Sequence, residues 1–393
     1  MIFLPILLVA SNALANPGTH ALVGLEQLEK IGAPILSRED SLGVGLSFLS
    51  PKLQDKLLRL NHEAGKCAGF EAISPIAAAK KDLFQSLKLQ ALKNKRFQPR
   101  ALRKAKRPEI EKALPLLKEE NLRATVEWLS SYPDRDNRKA EPNRHVVDME
   151  AKLKAMLAEY PHPFSVERIR HQRTRQDSLR VHLEGRSRPN EIILIGGHLD
   201  SISGGFWGGG GPAPGADDNA SGSANVLETL RVMIQQPRPE RSVEFFWYAG
   251  EESGLLGSSE IAQSYKSAGK DVVAALQLDM TMFPGAGEFV IGNVTDFTSA
   301  WLRSFLVEIN ALYLNNRLIE DRCGYACSDH ASWHRQGYPT LMPFESDTDR
   351  MNGRIHTAQD TIQNDISFRH SLEFAKIALI FAMDLANSNA REP

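Results

Sequence analysis

Two histidines and a scatter of carboxylates occupy positions where metal chemistry could be built. His198 and Asp200 lie in GGHLDS, Asp217 and Asp218 in PGADDNASG, Glu251 and Glu252 in YAGEES, Asp279 in LQLDM, and His356 in RIHTAQD. Neutral imidazole and carboxylate oxygens are standard zinc ligands. One imidazole on each side, with a carboxylate able to bridge, suits two zinc ions about 3.5–4 Å apart. Each residue alone has an ordinary explanation. A histidine after a strand can be a hydrogen-bonded loop residue, and Asp217-Asp218 can supply negative charge to a helix N-terminus. Glu251-Glu252 can be a solvated pair opening a helix. Such explanations would have to hold at five separate places at once, whereas a single metal centre accounts for all of them.

Other polar clusters carry less. His330 and His334 in SDHASWH have the i, i+4 spacing of helical metal ligands, but the intervening glutamate of HExxH is absent. Ser328-Asp329 reads as an N-cap for that helix, with a supporting role beside the site left open for Asp329. GGFWGGGG is a flexible loop rather than a phosphate cradle, since no GK[ST] follows it. Cys323 and Cys327 are spaced so that a tight loop could close a disulfide, and Cys67 is left odd.

The elements that must position these residues follow from periodicity. Helices are predicted over 110–131, 145–160, 219–235, 253–266, 298–314 and 368–386. Strands are predicted over 178–184, 191–195, 243–248, 272–278 and 288–291. Helices alternating with apolar strands imply an α/β fold with a mixed, mainly parallel central sheet covered on both faces. In such sheets, sites collect at the carboxyl ends of strands. EIILI leads into His198, VEFFWYAG into Glu251-Glu252, and AALQL into Asp279.

The N-terminal third reads differently. Residues 1–15 (MIFLPILLVASNALA) form a short apolar run ending in a small-x-small pattern, the form of a signal peptide and hence of secretion. Residues 16–107 show helical spacing at 53–60 and 82–92, then a basic run from Lys93 to Arg107 without an acid. Like charges in a block repel and stay solvated, so this run reads as a protease-accessible linker ending a propeptide. A permanent helical appendage is the alternative. A catalytic domain then spans 108–393. The net charge of −1 gives no reason to expect nucleic acid, and no later segment is apolar enough to cross a membrane.

From about Glu109 onward, GGHLDS, APGADDNASG, YAGEESGLLGS, LQLDM, CGYACSDHASWH and NGRIHTAQDT resemble, in order and spacing, the signature blocks of the secreted bacterial leucyl aminopeptidases. That resemblance implies a zinc-exopeptidase fold with two zinc ions per chain, held by His198, Asp217, Glu252, Asp279 and His356. Asp217 would bridge, Glu252 would pair with His356, and Asp279 with His198. Glu251 would be the general base, with Asp200 and Asp218 as supporting residues, and Asp217-Asp218 would be a cis peptide. The apolar pocket for the substrate's first side chain would comprise Met280, Tyr325, Met342, Phe344 and Ile355, walled by a Cys323–Cys327 disulfide. Substrates would be peptides with a free N-terminus, cleaved by a monomer that also binds its own propeptide.

One loop departs from the family pattern. Asp347-Thr348-Asp349-Arg350-Met351 lacks aromatic residues at Thr348 and Met351, so a more open pocket is expected, with Asp347 or Asp349 able to attract Lys or Arg. Competing functions are a two-zinc carboxypeptidase or deacylase, a single-zinc glutaminyl cyclase, and a binding module without chemistry. A carboxypeptidase needs a cationic clamp, for which Arg354 is the candidate, although it is expected to pair with a structural carboxylate instead.

Overall fold

The computed structural model describes residues 18–63, 69–98, 105–204 and 211–392. The leader-like residues 1–15, Cys67, part of the basic run and most of GGFWGGGG lie outside the described residues. The first segment runs β1 (Thr19–Gly24), α1 (Leu25–Ile31), β2 (Ser37–Glu39), β3 (Val44–Leu49), α2 (Pro51–Glu63), β4 (Glu71–Ile73), α3 (Pro75–Ala78) and α4 (Gln85–Arg96). Helices α2 and α4 match the helical spacing, but the four-stranded antiparallel sheet, ordered β2-β3-β1-β4, was not expected. Two of its strands have only three residues, too few to show a period. They become strands because their partners supply the ladder: β3, a few residues on, for β2, and β1, about fifty residues back, for β4.

The chain then alternates, as the pattern required. It passes through α5 (Pro108–Ala113), α6 (Glu119–Ser130), α7 (Arg144–Leu157), β5 (Phe164–Ile169), β6 (Ser178–Leu183), β7 (Arg188–His198) and α8 (Gly222–Met233). Next come β8 (Arg241–Tyr248), α9 (Leu256–Ser267), β9 (Asp271–Gln277), β10 (Val290–Val294), α10 (Ala300–Ile309) and β11 (Arg317–Asp321). The last elements are α11 (His330–Arg335), β12 (Thr340–Leu341), β13 (Pro343–Phe344) and α12 (Phe368–Ala386). Pro115, which has no N–H to donate, divides the single helix predicted over 110–131.

The central sheet has the order β12-β9-β7-β8-β6-β5. Its first four strands are parallel, and β6 and β5 are antiparallel additions at one edge. Side-chain alternation sorts β7 and β8 onto two cores. Ile193, Ile195, Val243, Phe245 and Trp247 pack with α8 and α12 on one face. Ile192, Leu194, Phe246 and Tyr248 meet Ile261 and Tyr265 of α9 and Trp333 of α11 on the other. Each fully buried Val, Leu, Ile or Phe contributes about 1.5–3 kcal/mol, so this two-sided sheet is a rigid frame for whatever stands at its rim. Gly197 and Gly222 let that rim close up. A Cβ on either would come within 2.8 Å or 2.3 Å of the Leu278 carbonyl, so only glycine lets β7, α8 and the end of β9 meet there.

The N-terminal segment docks on this frame through β4. Ala72 donates its N–H to the Gly254 carbonyl at 2.9 Å and accepts from Arg173 at 2.6 Å. Glu71 and Arg335 form a buried ion pair at 2.9 Å, and Phe70 packs where a side chain on Gly254 would stand. Among the described residues, no helix is long and apolar enough to cross a membrane.

Candidate metal centre and apolar pocket

Three parallel strands deliver the site at their carboxyl ends. His198 closes β7, Glu251 and Glu252 follow β8, and Asp279 lies two residues beyond β9. His356 comes from the loop before α12, and the turn before α8 contributes an aspartate. His198, Asp218 and Asp279 form one buried triad, and Asp218, Glu252 and His356 form a second. His198 Nε2 lies 3.0 Å from Asp218 Oδ1 and 3.2 Å from Asp279 Oδ1. His356 Nε2 lies 3.1 Å from Asp218 Oδ2 and 2.8 Å from Glu252 Oε2. The pairing of Glu252 with His356 and Asp279 with His198 is the one the resemblance implied.

The shared carboxylate is Asp218, not Asp217, and the cis peptide is Asp218–Asn219 rather than Asp217-Asp218. Adjacent side chains leave the backbone in different directions, so only one of the two can face the histidines. Asp217 is used elsewhere: it accepts from the Met282 N–H at 3.2 Å and from Asn352 Nδ2 at 3.0 Å. Burial and the facing Asp217 carboxyl push Glu345 well above the usual carboxylate range. Asp360 fixes the turn by accepting the N–H groups of Asp217 and Asp218, both at 3.0 Å. Nothing in the sequence marked Glu345, Asn352 or Asp360, although Asp360 sits in the quoted block RIHTAQD.

Asp200 supports more than one ligand. Its carboxylate accepts the N–H of Glu251 at 3.0 Å and of Glu252 at 3.2 Å, and its main-chain carbonyl lies 3.1 Å from His198 Nδ1. A carbonyl only accepts, so Nδ1 carries the proton and Nε2 turns its remaining valence toward Asp218 and Asp279. Ser328, expected as a helix cap, instead donates its hydroxyl to Asp279 Oδ2 at 2.6 Å, and Asp329 makes no side-chain cap. Asp329 accepts from Gln277 at 3.1 Å. His330 and His334 point to the Asp296 carbonyl and the Thr340 hydroxyl and join no metal-capable group among the described residues.

The electrostatics of this cluster suit cations. Burial pulls His198 down, but Asp279 and hydrogen bonds to Asp200 and Asp218 lift it well above the usual imidazole range. Burial likewise opposes His356, which Glu252 and Asp218 lift. Burial pushes Glu252 up to about 7, with Asp218 adding to it. Glu251 is pushed well up by burial, opposed by His198 and reinforced by Glu252. Without a cation, protons must offset this crowd of acids. Glu251 Oε1 and Glu252 Oε1 are buried yet meet no hydrogen-bond donor, while Glu252 Oε2 faces His356. Buried acceptors without donors are costly unless a charge balances them, and two imidazole-carboxylate triads form a donor set that fits zinc.

Beside the centre, Met280, Tyr325, Met342, Phe344, Ile355 and Met351 form one apolar cluster with the Cys323–Cys327 disulfide. Met280 follows Asp279 directly and Ile355 precedes His356, so the cluster adjoins both triads. The 347–351 loop is tied down rather than open. Thr348 donates to Asp321 at 2.8 Å, Met351 is buried in the cluster, and Asp347 is bound to Arg350. Arg354 is held by Asp365 through two hydrogen bonds of 2.8 and 2.9 Å.

A parallel-stranded α/β frame carrying two buried His/Asp/Glu triads at its rim is the architecture of a metal-dependent α/β enzyme. Residues 179–382 match the model of peptidase family M28. The chain is 37% identical over 293 residues to leucine aminopeptidase 1 of Phaeosphaeria nodorum, covering 70% of this chain and 72% of that protein. It is 35% identical over 318 residues to leucine aminopeptidase 1 of Pyrenophora tritici-repentis, covering 75% and 78%. The crystal structure of Legionella pneumophila LapA aminopeptidase superposes with a TM-score of 0.78 at 26% identity, covering 94% of this chain and 98% of that one. The chain therefore belongs to peptidase family M28. It is a peptidase acting on N-terminal residues, as the sequence blocks implied. A Porphyromonas gingivalis glutaminyl cyclase shares the fold at 17% identity, with a TM-score of 0.55 over 69% of this chain.

Proposed function

We propose that this protein is a secreted aminopeptidase using two zinc ions, held by His198, Asp218 and Asp279 on one side and by His356, Asp218 and Glu252 on the other. The observation that carries this reading is the pair of buried triads sharing Asp218. When bound, zinc supplies Lewis-acid polarisation of the scissile carbonyl and of the attacking water. Glu251, buried and with Oε1 free of donors, accepts the proton of that water and returns it to the leaving amine. Asp200 holds the Glu251 and Glu252 main chain so that one carboxylate faces the metals and the other the substrate. Met280, Tyr325, Met342, Phe344 and Ile355 receive an apolar first side chain. Asp347 already has Arg350 as its counter-ion, which favours leucine over lysine, and Arg354, the candidate clamp for a C-terminal carboxylate, is taken by Asp365. Secretion rests on the leader-like residues 1–15, and recovery of the enzyme only inside the producing cells would reject it.

The test is removal and return of metal. Chelation should abolish turnover of leucyl nitroanilide, and zinc should restore it in proportion to binding, reaching a plateau at two ions per chain. A plateau at one ion, with activity on N-terminal glutamine, would instead mark a cyclase. Lysyl and arginyl nitroanilides should turn over more slowly than the leucyl one; equal rates would mean that Asp347 or Asp349 reaches the substrate.

We further propose that residues 16–107 are a propeptide, cut in the basic run, which restrains the enzyme while docked. Support comes from where the segment touches its partner. Leu58 and Arg59 of α2 share a cavity of about 480 Å³ with His356, Ile202 and Gly204. The Gly24 backbone abuts the Gly324 carbonyl of the disulfide loop, and β4 holds Gly254, two residues past Glu252. Trimming with trypsin should raise activity on peptides; equal activity of the uncut and trimmed chains would leave the segment a permanent part of the enzyme.

A further inference from the structure

The turn between α6 and α7 lies outside the residues matched by the family model, yet it touches three of the loops that carry the site. Arg135 is its centre, and it is 1% exposed. Its guanidinium donates to four main-chain carbonyls: Leu199 at 2.8 Å, Leu129 at 3.0 Å, Pro214 at 2.5 Å and Gly215 at 2.8 Å. Leu199 follows His198, and Gly215 lies three residues before Asp218. The Arg135 N–H reaches Ser201 Oγ at 3.3 Å, and that hydroxyl donates to the Ala213 carbonyl at 2.7 Å. Asn137, two residues on, accepts from Ser253 at 2.9 Å, beside Glu252.

No carboxylate pairs directly with this guanidinium among the described residues. A buried charge without a counter-ion is costly, so the fold must gain from keeping it there. Asp360, Asp200, Asp218 and Glu252 supply the surrounding negative field, and although burial lowers Arg135 to about 10, it stays charged at neutral pH. The planar fork also does what a lysine could not, since its donors reach carbonyls in separate loops. At Gly215, a Cβ would stand 2.9 Å from the Arg135 Nη2 and 2.5 Å from the Asp218 carbonyl, so turn and clamp are fitted to each other.

We propose that Arg135 is the positioning residue of the metal centre, locking the loop after His198 to the loop before Asp218 so that the two ligands stand ready for zinc. This rests on the reading of the triads as a zinc centre. Arg135→Lys keeps the charge but loses the fork, which separates geometry from electrostatics. Zinc affinity, measured by chelator competition, should weaken by about 10- to 100-fold, the usual effect of removing an outer support. Addition of free guanidinium to Arg135→Ala should recover part of the loss. Leu153→Ala, a core change on α7, should lower the melting temperature without altering zinc affinity. Ser201→Ala loosens the same junction more gently, should weaken zinc binding less, and gives the answer if the arginine variants do not fold. Zinc affinity within threefold of wild type in Arg135→Lys, or in Ser201→Ala if that is the variant that folds, would overturn the proposal whatever happens to melting. A wild-type chain that binds no zinc would instead sink the metal reading itself.

Discussion

Replacing Glu251 by glutamine should leave the protein folded and holding its zinc while slowing leucyl nitroanilide turnover by about 10²- to 10⁴-fold, the range a positioned general base supplies. The side chain keeps its shape, so packing in this buried position is preserved. Only the ability to take a proton is removed. Glu251 belongs to neither triad, which is why metal content should not follow activity. Its main-chain N–H is fixed by Asp200, so the loss should fall on kcat rather than KM. The measurement is steady-state kinetics beside metal analysis of the same sample. Loss of zinc together with activity would show that Glu251 is a ligand and that the base lies elsewhere.

Asp218→Asn should be more damaging still, because one side chain serves both triads. Asparagine retains one acceptor oxygen and replaces the other with a donor, so at least one half-site loses its ligand and the negative charge is gone. Zinc content should drop below two per chain, and turnover should fall by about 10³-fold or more, equivalent to several kcal/mol of Lewis-acid stabilisation. Asp217→Asn provides the contrast. Asp217 spends its oxygens on Met282, Asn352 and Glu345, so its replacement should retain both ions and cost about tenfold, the lower end for an outer support. If Asp217→Asn strips the zinc and Asp218→Asn does not, the bridging role belongs to the other aspartate.

The candidate site was legible because metal-ligand residue types are few and the strands announce themselves. Runs such as EIILI and VEFFWY can only be buried on both faces, and their carboxyl ends are where a parallel sheet exposes its loops. The pattern alone places His198, Glu251, Glu252 and Asp279 at one rim, and α12 is readable to its ends from helical spacing. The strands of the N-terminal segment were not, since β2 and β4 are three residues long and exist through their partners.

What the sequence by itself determined was the frame and the residue types at its rim: local periodicity and the small set of zinc-binding side chains are properties of the chain. Tertiary structure alone decided which of two adjacent aspartates turns inward, because that depends on Asp360, Asn352 and Glu345 arriving from more than a hundred residues away. It also decided that Arg135, one of many arginines in the chain, is buried against carbonyls from three other segments. Such roles are set by convergence of distant backbone, which no local pattern encodes.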